Sequence, residues 1–537
     1  MCGITGLWDP SSSRDAVREA VGAMTHALRH RGPDGDGVWV DPQPDGVALG
    51  HARLAILDLS DAGAQPMVSR SERFALTYNG EIYNFRELAA SLAAEGVTIR
   101  SDCDTEVLLE AIATWGLPAT LARVVGMFAF ALWDRQQRTL TLARDRLGIK
   151  PLYVRCEAKR VVFASELGPL LGGGGFQPRL DRTALQMLLR YAFVPTPWTI
   201  LEGVEKLAPG TFCELAWDEG VIRRRDTVYW SAPSVAERAQ AQLLDEEDDA
   251  LVERVQTALD RSVSDRTVAD VPLGALLSGG IDSAAVVCAL RRVSDERPYT
   301  FTVANDDARY DEAEEARQLA KTLDTEHIEL RVEPADLLSV VAELPRLYTE
   351  PFADYSQIPT VAVCRRAREH VTVVLTGDGG DELFAGYNRH RWVPRLDETA
   401  SSVPRIARTW LGRGLAAVPA GVWHGVNRAG GARVPRLMAN KMRKLAAVIG
   451  KANASEIYNA LVSVNEDAAG FLRQPASRDH AVRPRAGDVR DAIMLADTEF
   501  YLPDDILTKL DRASMSVGLE GRVPLLDHRL FELAWRL

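Results

Sequence analysis

The sequence predicts two domains of different class: a strand-rich α+β unit over residues 1–230 and an α/β unit with a parallel sheet over 251–537. Three observations predict this. A chain of 537 residues is longer than one hydrophobic core usually organises. Up to about residue 230, apolar and alternating runs end in Gly or Asn turns, the pattern of strands. Beyond residue 270, short apolar runs alternate with helical periodicity, and strands alternating with helices imply a parallel sheet.

In chain order, "GVALGHARLAILDL" (46–59) and "RFALTYNGEIYN" (73–84) read as strands. Leu and Ala recur at helical spacing over 86–95 and 105–115. "MFAFALWDRQQRTLTLARD" (127–145) is a hairpin, two apolar strands around a polar turn. "GGGG" (172–175) is a flexible loop, and Asp181 is placed to cap the helix that follows it. Residues 231–250 are polar, acidic at 245–249 and poor in aromatics, so they read as a linker running into a solvated helix start. "GALLSGGIDSAAVVCALRRV" then reads strand, glycine loop, helix; "YTFTVAN" (299–305) is a strand; "DEAEEARQLAKTL" (311–323) is a helix. "VTVVLTGDGGDELF" (371–384) is a strand entering a Gly/Asp loop, and 400–500 is Arg- and Ala-rich and helical. No internal repeat is present.

Composition excludes several classes of function. Hydrophobic residues are 46% and charged residues 26%, the balance of a soluble globular protein. A net charge of −12 argues against nucleic acid as the main partner, since binders of phosphate backbones carry basic surfaces. The six cysteines are scattered, with no C-x-x-C pair, which suits a reduced cytosolic compartment. No basic-then-apolar leader begins the chain, and no apolar run reaches membrane-spanning length.

The chain opens "MCGITG". With Met1 removed, Cys2 carries both a thiol and a free α-amine, whose reference pKa of about 8 makes it a built-in base. On its own such a cysteine is equally well a small buried hydrophobe. Three further stretches complete a site. "HARLAI" puts Arg53 on a strand, where a guanidinium can hold a carboxylate. "YNGEIYN" puts the Asn79 amide beside the Gly80 N–H, the donors of an oxyanion hole. "SDCDTEVLLEA" puts Asp104 at a helix start, as an N-cap or as a carboxylate for an ammonium. Together these residues describe a site that cleaves the side-chain amide of an amino acid.

"LLSGGIDSAAV" (276–286) places Ser278, Gly279, Gly280 and Ser283 around a backbone anion site at a helix N-terminus. No Walker A lysine is present, and Asp282 can ligate Mg²⁺. This suits release of pyrophosphate from ATP, although a tight structural turn explains the loop alone equally well. "LTGDGGDELFAGY" (375–387) adds Asp378, Asp381 and Glu382, with Asp381 the natural partner of Asp282 on one Mg²⁺.

"MCGITG", "HRGPDG", "HARLAI", "YNGEIYN", "DTEVLL", "FAFALWD", "ARDRLGIKPLY" and "FASEL" resemble, in order, the glutaminase domain of class II glutamine amidotransferases. "LLSGGIDS", "EPFADYSQIP" (350–359), "LTGDGGDELFAGY" and "LPDDILTKLDRASMSVGLEGRVPLLDH" (502–528) resemble the ATP-pyrophosphatase domain of the asparagine synthetase family. The resemblance implies an N-terminal-nucleophile αββα sandwich followed by an adenine-nucleotide α-hydrolase-like domain. It implies that Cys2 attacks glutamine, Asn79 and Gly80 stabilise the oxyanion, Arg53 binds the α-carboxylate, and Glu81 and Asp104 hold the α-amine. Leu277, Val303, Thr376 and Gly377 would contact ATP, the Ser278–Ser283 loop would hold pyrophosphate, and Asp378 and Lys509 would serve acyl-adenylate formation. Asp354 would lie near the acceptor.

The implied reaction is glutamine- and ATP-dependent amidation of aspartate, in a cytoplasmic homodimer with Mg²⁺ and no nucleic acid or membrane partner. Ammonia would pass between the sites through an apolar channel. Another carboxylate acceptor, in secondary metabolism or polysaccharide synthesis, is the alternative, and a non-catalytic regulatory relative a second. A β-lactam-forming synthetase usually lacks the cysteine that stands here. Departures are small: "APG" (208–210) for "PPG", "FAGY" (384–387) for "FGGY", and Asp378 where some members have Glu. Leu537 follows His528 by only nine residues, where relatives continue with helical sequence; the chain is either short or incomplete there.

Overall fold

A computed structural model describes residues 2–43, 46–173, 177–304, 313–331, 334–419, 422, 438–473, 481–482, 484 and 487–537. The first twelve strands are β1 (Gly3–Trp8), β2 (Gly35–Val40), β3 (Val47–Arg53), β4 (Met67–Val68), β5 (Phe74–Ile82), β6 (Gly126–Asp134), β7 (Thr139–Arg144), β8 (Tyr153–Glu157), β9 (Arg160–Ala164), β10 (Glu205–Lys206), β11 (Thr211–Asp218) and β12 (Val221–Val228). They form two six-stranded sheets, ordered β10-β8-β9-β1-β3-β2 and β12-β11-β7-β6-β5-β4.

Residue alternation along β6 shows how the layers assemble. Phe128, Phe130 and Leu132 point to one face and pack with Leu88, Leu92 and Leu108 of helices Phe85–Ala94 and Asp104–Trp115. Ala129, Ala131 and Trp133 point to the other and pack with Ile4, Trp8, Leu49 and Phe163 of the facing sheet. That sheet's outer face, through Leu7 and Val162, is covered by Val17, Val21 and Met24 of helix Arg14–Ala27. Three separate apolar clusters therefore define four layers, α-β-β-α. The hairpin at 127–145 pairs as read, Asp134 opposite Thr139. Asp181 caps helix Arg182–Tyr191 by accepting from the Ala184 N–H. The run 46–59 is strand only to Arg53; Leu54–Leu59 leave the sheet and turn toward the second domain, where Ile56 O accepts from Asp270 N.

The second domain holds β13 (Leu273–Leu276), β14 (Tyr299–Ala304), β15 (Glu326–Arg331), β16 (Val373–Leu375) and β17 (Glu520–Arg522), all parallel in the order β15-β14-β13-β16-β17. Helices Asp248–Arg266 and Ile281–Val293 pack on one face. Helix Gln357–Arg368 packs on the other, with Val361 and Cys364 against Phe301 and Val374. Helix Ala313–Thr322 lies within the range read as helical; residues 311–312 are outside the described residues, as are 174–175 of the glycine run and parts of 400–500.

Residues 231–250 are more structured than a linker requires. Helix Ala232–Gln240 buries Val235, Ala236 and Ala239 in the same apolar cluster as Leu54, Tyr83 and Ile149 of the first domain and Leu526 of the second. The domains are also tied by buried charge. Arg31 is fully buried and makes a bidentate pair with Asp511 at 2.8 Å to each oxygen, and a 2.7 Å bond to Glu166. Lys206 reaches Glu350 at 2.9 Å and Asp504 at 3.2 Å.

Candidate functional site

One pocket, about 360 Å³ counted out to its mouth, is lined by Cys2, Arg53, Gly80, Glu81 and Asp104, with Leu54, Gln65 and Tyr78. Five residues expected at a glutaminase site thus share one concavity. Cys2 precedes β1 and is buried, with its thiol 3.8 Å from Leu54 O. Burial pushes the thiol pKa up, so little thiolate forms at neutral pH without a base. The Cys2 backbone N–H donates to Asn79 Oδ1 at 3.0 Å. Met1 itself lies outside the described residues.

Asn79 sits in β5, fully buried, and its Nδ2 has no hydrogen-bond partner. A buried amide with an orphaned donor beside a thiol is primed to meet an oxyanion. Gly80 follows, opposite Phe128 in β6; a Cβ there would fall 2.2 Å from Met127 O and 2.8 Å from Phe128 Cα, so only glycine fits.

Arg53, the last residue of β3, is held by Ser60 O at 2.8 Å and Asp58 O at 2.5 Å, which fixes its guanidinium at the pocket wall. Asp104 is not the N-cap. Cys103 occupies that position without a side-chain cap bond, and Asp104 turns inward to accept from Tyr78 Oη at 2.8 Å and the Ile82 N–H at 2.9 Å. Burial raises its pKa, while those two donors hold it down. Glu81 is raised well above the usual carboxylate range by burial and by the neighbouring Glu520 and Asp104 carboxylates, and Arg522 stands 3.7 Å away. A cation placed among Glu81 and Asp104 would relieve that crowding.

The second constellation lies at the carboxyl edge of the parallel sheet, where ligands of such sheets bind. Leu277, Val303 and Thr376 stand at or just beyond the ends of the adjacent strands β13, β14 and β16. Ser283 Oγ lies 2.9 Å from Ser278 Oγ and accepts from the Ser278 N–H at 3.1 Å; Ser278 Oγ accepts from Gly280 N. These bonds set the turn that opens helix Ile281–Val293. Gly377 has no room for a side chain, since a Cβ would fall 2.5 Å from Ser283 N. Gly380 lies as close to the Asp282 carboxylate. The two loops are therefore in backbone contact, and glycine is what permits it.

Asp282, Asp378 and Asp381 crowd the same place. Burial and the charges of Asp381 and Asp378 push Asp282 up to about 6, and Asp381 is raised mainly by burial. Hard oxygen donors under mutual repulsion suit a divalent cation, although among the described residues no three such side chains form a ready-made cage. Thr376 Oγ1 donates to Asp378 at 2.8 Å. Lys509 Nζ is held 3.1 Å from Asp354 and 2.9 Å from Ser356 Oγ; buried though it is, it stays strongly basic because Asp354, Asp378 and Asp505 face it.

The apolar cluster containing Leu54, at the Cys2 thiol, continues through Tyr83, Met127 and Ile149 to Leu383 and Leu526. Leu526 packs directly on Gly379, where a Cβ would fall 2.2 Å from it. Sequence reading missed Arg31, whose Nε donates to Cys2 O at 3.2 Å while its other nitrogens bind Asp511, two residues from Lys509. It lies in "HRGPDG", a stretch that carries the family resemblance but does not show its partners Glu166 and Asp511. Tyr78, which donates to Asp104, was also missed.

Fold and sites together define a glutamine amidotransferase unit joined to an α/β synthase unit. A family model described as a glutamine amidotransferase domain matches residues 1–230, and one described as asparagine synthase matches 254–537. The chain belongs to the asparagine synthase family. It is 31% identical to asparagine synthetase [glutamine-hydrolyzing] 1 of Bacillus subtilis, over all of this chain and 81% of that one. It is 33% identical to a putative asparagine synthetase [glutamine-hydrolyzing] of Mycobacterium bovis, over 96% of this chain and 78% of that one. It is also 29% identical to the amidase chyE of Penicillium rubens, over 99% and 82%. Among the described residues no helix is long and apolar enough to cross a membrane.

Proposed function

We propose that the chain is a carbon–nitrogen ligase that hydrolyses glutamine at Cys2 and uses the ammonia to amidate the β-carboxylate of aspartate, which ATP has activated as an acyl-adenylate. The observation that carries the first half is the shared pocket of Cys2, Arg53, Gly80, Glu81 and Asp104 beside the unpartnered Asn79 Nδ2.

In this reading the mature α-amine of Cys2 takes the thiol proton, which the raised thiol pKa requires. Sγ attacks the glutamine amide carbon, and Asn79 Nδ2 with the Gly80 N–H holds the oxyanion. The proton passes to the leaving ammonia, and water then releases glutamate from the thioester. Arg53 holds the α-carboxylate; Glu81 and Asp104 hold the α-ammonium. Ammonia moves along the apolar cluster between the domains, where it is not protonated and lost.

At the second site the acceptor carboxylate attacks the α-phosphorus and pyrophosphate leaves toward the Ser278–Ser283 loop. Leu277, Val303, Thr376 and Gly377 position the nucleotide. Asp282 and Asp381 would hold Mg²⁺, which when bound neutralises phosphate charge. Lys509 balances charge developing at the reacting phosphorus, and Asp378 sits where it can order the attacking groups. Ammonia displaces AMP and leaves the amide. Cytoplasmic residence, a homodimer, and domains at 1–230 and 251–537 about a linker at 231–250 belong to the same proposal and rest on resemblance and composition.

The test is transfer of label. Incubated with amide-¹⁵N glutamine, ATP, Mg²⁺ and aspartate, the protein is expected to yield ¹⁵N-asparagine, AMP and pyrophosphate in equal amounts. Glutamate formation with no amide from aspartate would refute aspartate as the acceptor.

A further inference from the structure

Beside Lys509 lies a group of buried polar side chains that the reaction above does not use. The ten-residue π-helical segment Asp497–Ile506 runs directly into helix Leu507–Met515, which carries Lys509. Such widened turns recur at functional sites because they re-aim side chains. Here the segment presents Tyr501 and Asp505. Asp505 is 7% exposed, neighbours Asp354 and the Tyr501 hydroxyl, and leaves Oδ1 with no hydrogen-bond partner.

Arg389 faces the same place from helix Asn388–Ser402. Its Nε donates to the fully buried Asp497 at 2.7 Å. Its guanidinium carbon lies 3.9 Å from the Tyr387 ring centre and 4.7 Å from that of Tyr501, so the group is pinned by stacking as well as by charge. Its Nη2 is buried and unpartnered. A buried guanidinium edge and a buried carboxylate oxygen, both orphaned and both against Tyr501, are unfavourable unless something binds them.

We infer that Arg389 and Asp505 are the residues that read the acceptor: Arg389 Nη2 takes an α-carboxylate and Asp505 Oδ1 an α-ammonium, so that the acceptor's side-chain carboxylate points toward Lys509 and Asp378. The pair then selects a free α-amino diacid over a simple carboxylic acid. The inference rests on the amidation reading and deepens it. Tyr501 is the shared wall that sets the separation of the two charges. The Arg389 charge also helps offset that of Asp381 in the phosphate loop. Both residues act on binding and orientation; neither touches the reacting carboxylate.

Aspartate, succinate (no α-amine) and β-alanine (no α-carboxylate) separate the two contacts. KM and kcat for amide formation are measured for each with the wild type, Arg389→Gln, Arg389→Lys and Asp505→Asn, with thermal melting as the folding control. Arg389→Gln is expected to raise KM for aspartate about 10- to 100-fold, the loss of a charge-assisted hydrogen bond, and to narrow the gap between aspartate and β-alanine by the same factor. Asp505→Asn is expected to narrow the gap between aspartate and succinate instead. Arg389→Lys keeps the charge and should recover part of the loss; it also serves if the Gln variant does not fold. Equal losses on all three acceptors, or unchanged gaps, would overturn the clamp while leaving the amidation reading intact. Wild-type preference for succinate over aspartate would likewise overturn it. Failure of every acid to elicit pyrophosphate would instead refute the underlying reading.

Discussion

Replacing Arg31 with Met should cost the protein much of its inter-domain stability. Arg31 is 0% exposed, and its guanidinium neutralises two buried carboxylates at once, Glu166 at 2.7 Å and Asp511 at 2.8 Å. Both are held low by it: Glu166 falls to about 2, with His30 and Arg31 outweighing its burial, and Asp511 falls far below the usual carboxylate range. Removing one partner of a buried pair leaves an uncompensated charge and costs about 3–5 kcal/mol. Arg512 and His30 remain to soften the loss, which argues for the lower end of that range. The assay is urea unfolding followed by tryptophan fluorescence, run on Arg31→Met, Asp511→Asn and the double variant. A coupling energy of about 2 kcal/mol or more is expected, against about 0.3–0.5 kcal/mol for independent sites. A single-variant loss below about 1 kcal/mol, or no coupling, would show that the pair does not hold the domains together. Because Arg31 also donates to Cys2 O, glutaminase kcat should fall in the same variant.

The remaining predictions concern pH and the two sites. Glu166 and Asp511 have folded pKa values below their unfolded ones, so their stabilisation is full above about pH 4.5 and is lost as pH falls toward about 2; acid unfolding in that window should be blunted by Arg31→Met, and an unchanged acid midpoint would refute it. Asp282 is shifted the other way, up to about 6, so protons should compete with Mg²⁺ below that pH and raise the Mg²⁺ concentration needed for pyrophosphate formation between pH 7.5 and 5.5; a flat requirement would remove Asp282 from the metal site. Asp282→Asn should relieve its repulsion with Asp381 and Asp378, raising the metal-free Tm by about 1–3 °C while abolishing pyrophosphate formation; a lower Tm would contradict the crowding argument. Gly377→Ala would drive a methyl group into the Ser283 backbone nitrogen and should abolish ATP use while glutamine hydrolysis persists, which pyrophosphate and glutamate assays separate.

Elements with a strong local signature are legible in the sequence alone. The β6 alternation, the β6–β7 hairpin and the Asp181 cap each depend on neighbours a few residues apart. The residues that share the Cys2 pocket were legible as candidates for a related reason: they sit in short stretches whose chemistry can be read one at a time. What escaped has a common cause. Arg31 and Asp511 are 480 residues apart, and a buried ion pair looks in sequence like two surface charges. Past Arg53 the chain stays as apolar as a strand because Leu54 and Ile56 pack into the inter-domain cluster, so composition could not mark where β3 stops. Helix Ala232–Gln240 is polar enough to pass for a tether, yet its alanine and valine face fills that cluster. Asp104 reads equally as a cap or as an inward carboxylate because it starts a helix, and only the partners Tyr78 and the Ile82 N–H, distant in sequence, decide for the second. Pro503 within Asp497–Ile506 would ordinarily break a helix, and the wider π-turn is what accommodates it.

The central claim is that one chain carries two separable sites, with Cys2 serving only the first. Cys2→Ala, assayed for asparagine formation with ATP, Mg²⁺ and aspartate, tests it most directly when glutamine and ammonium chloride are supplied in turn. The predicted result is loss of product from glutamine with product from ammonium retained near the wild-type rate. Equal loss with both nitrogen sources would contradict the two-site account.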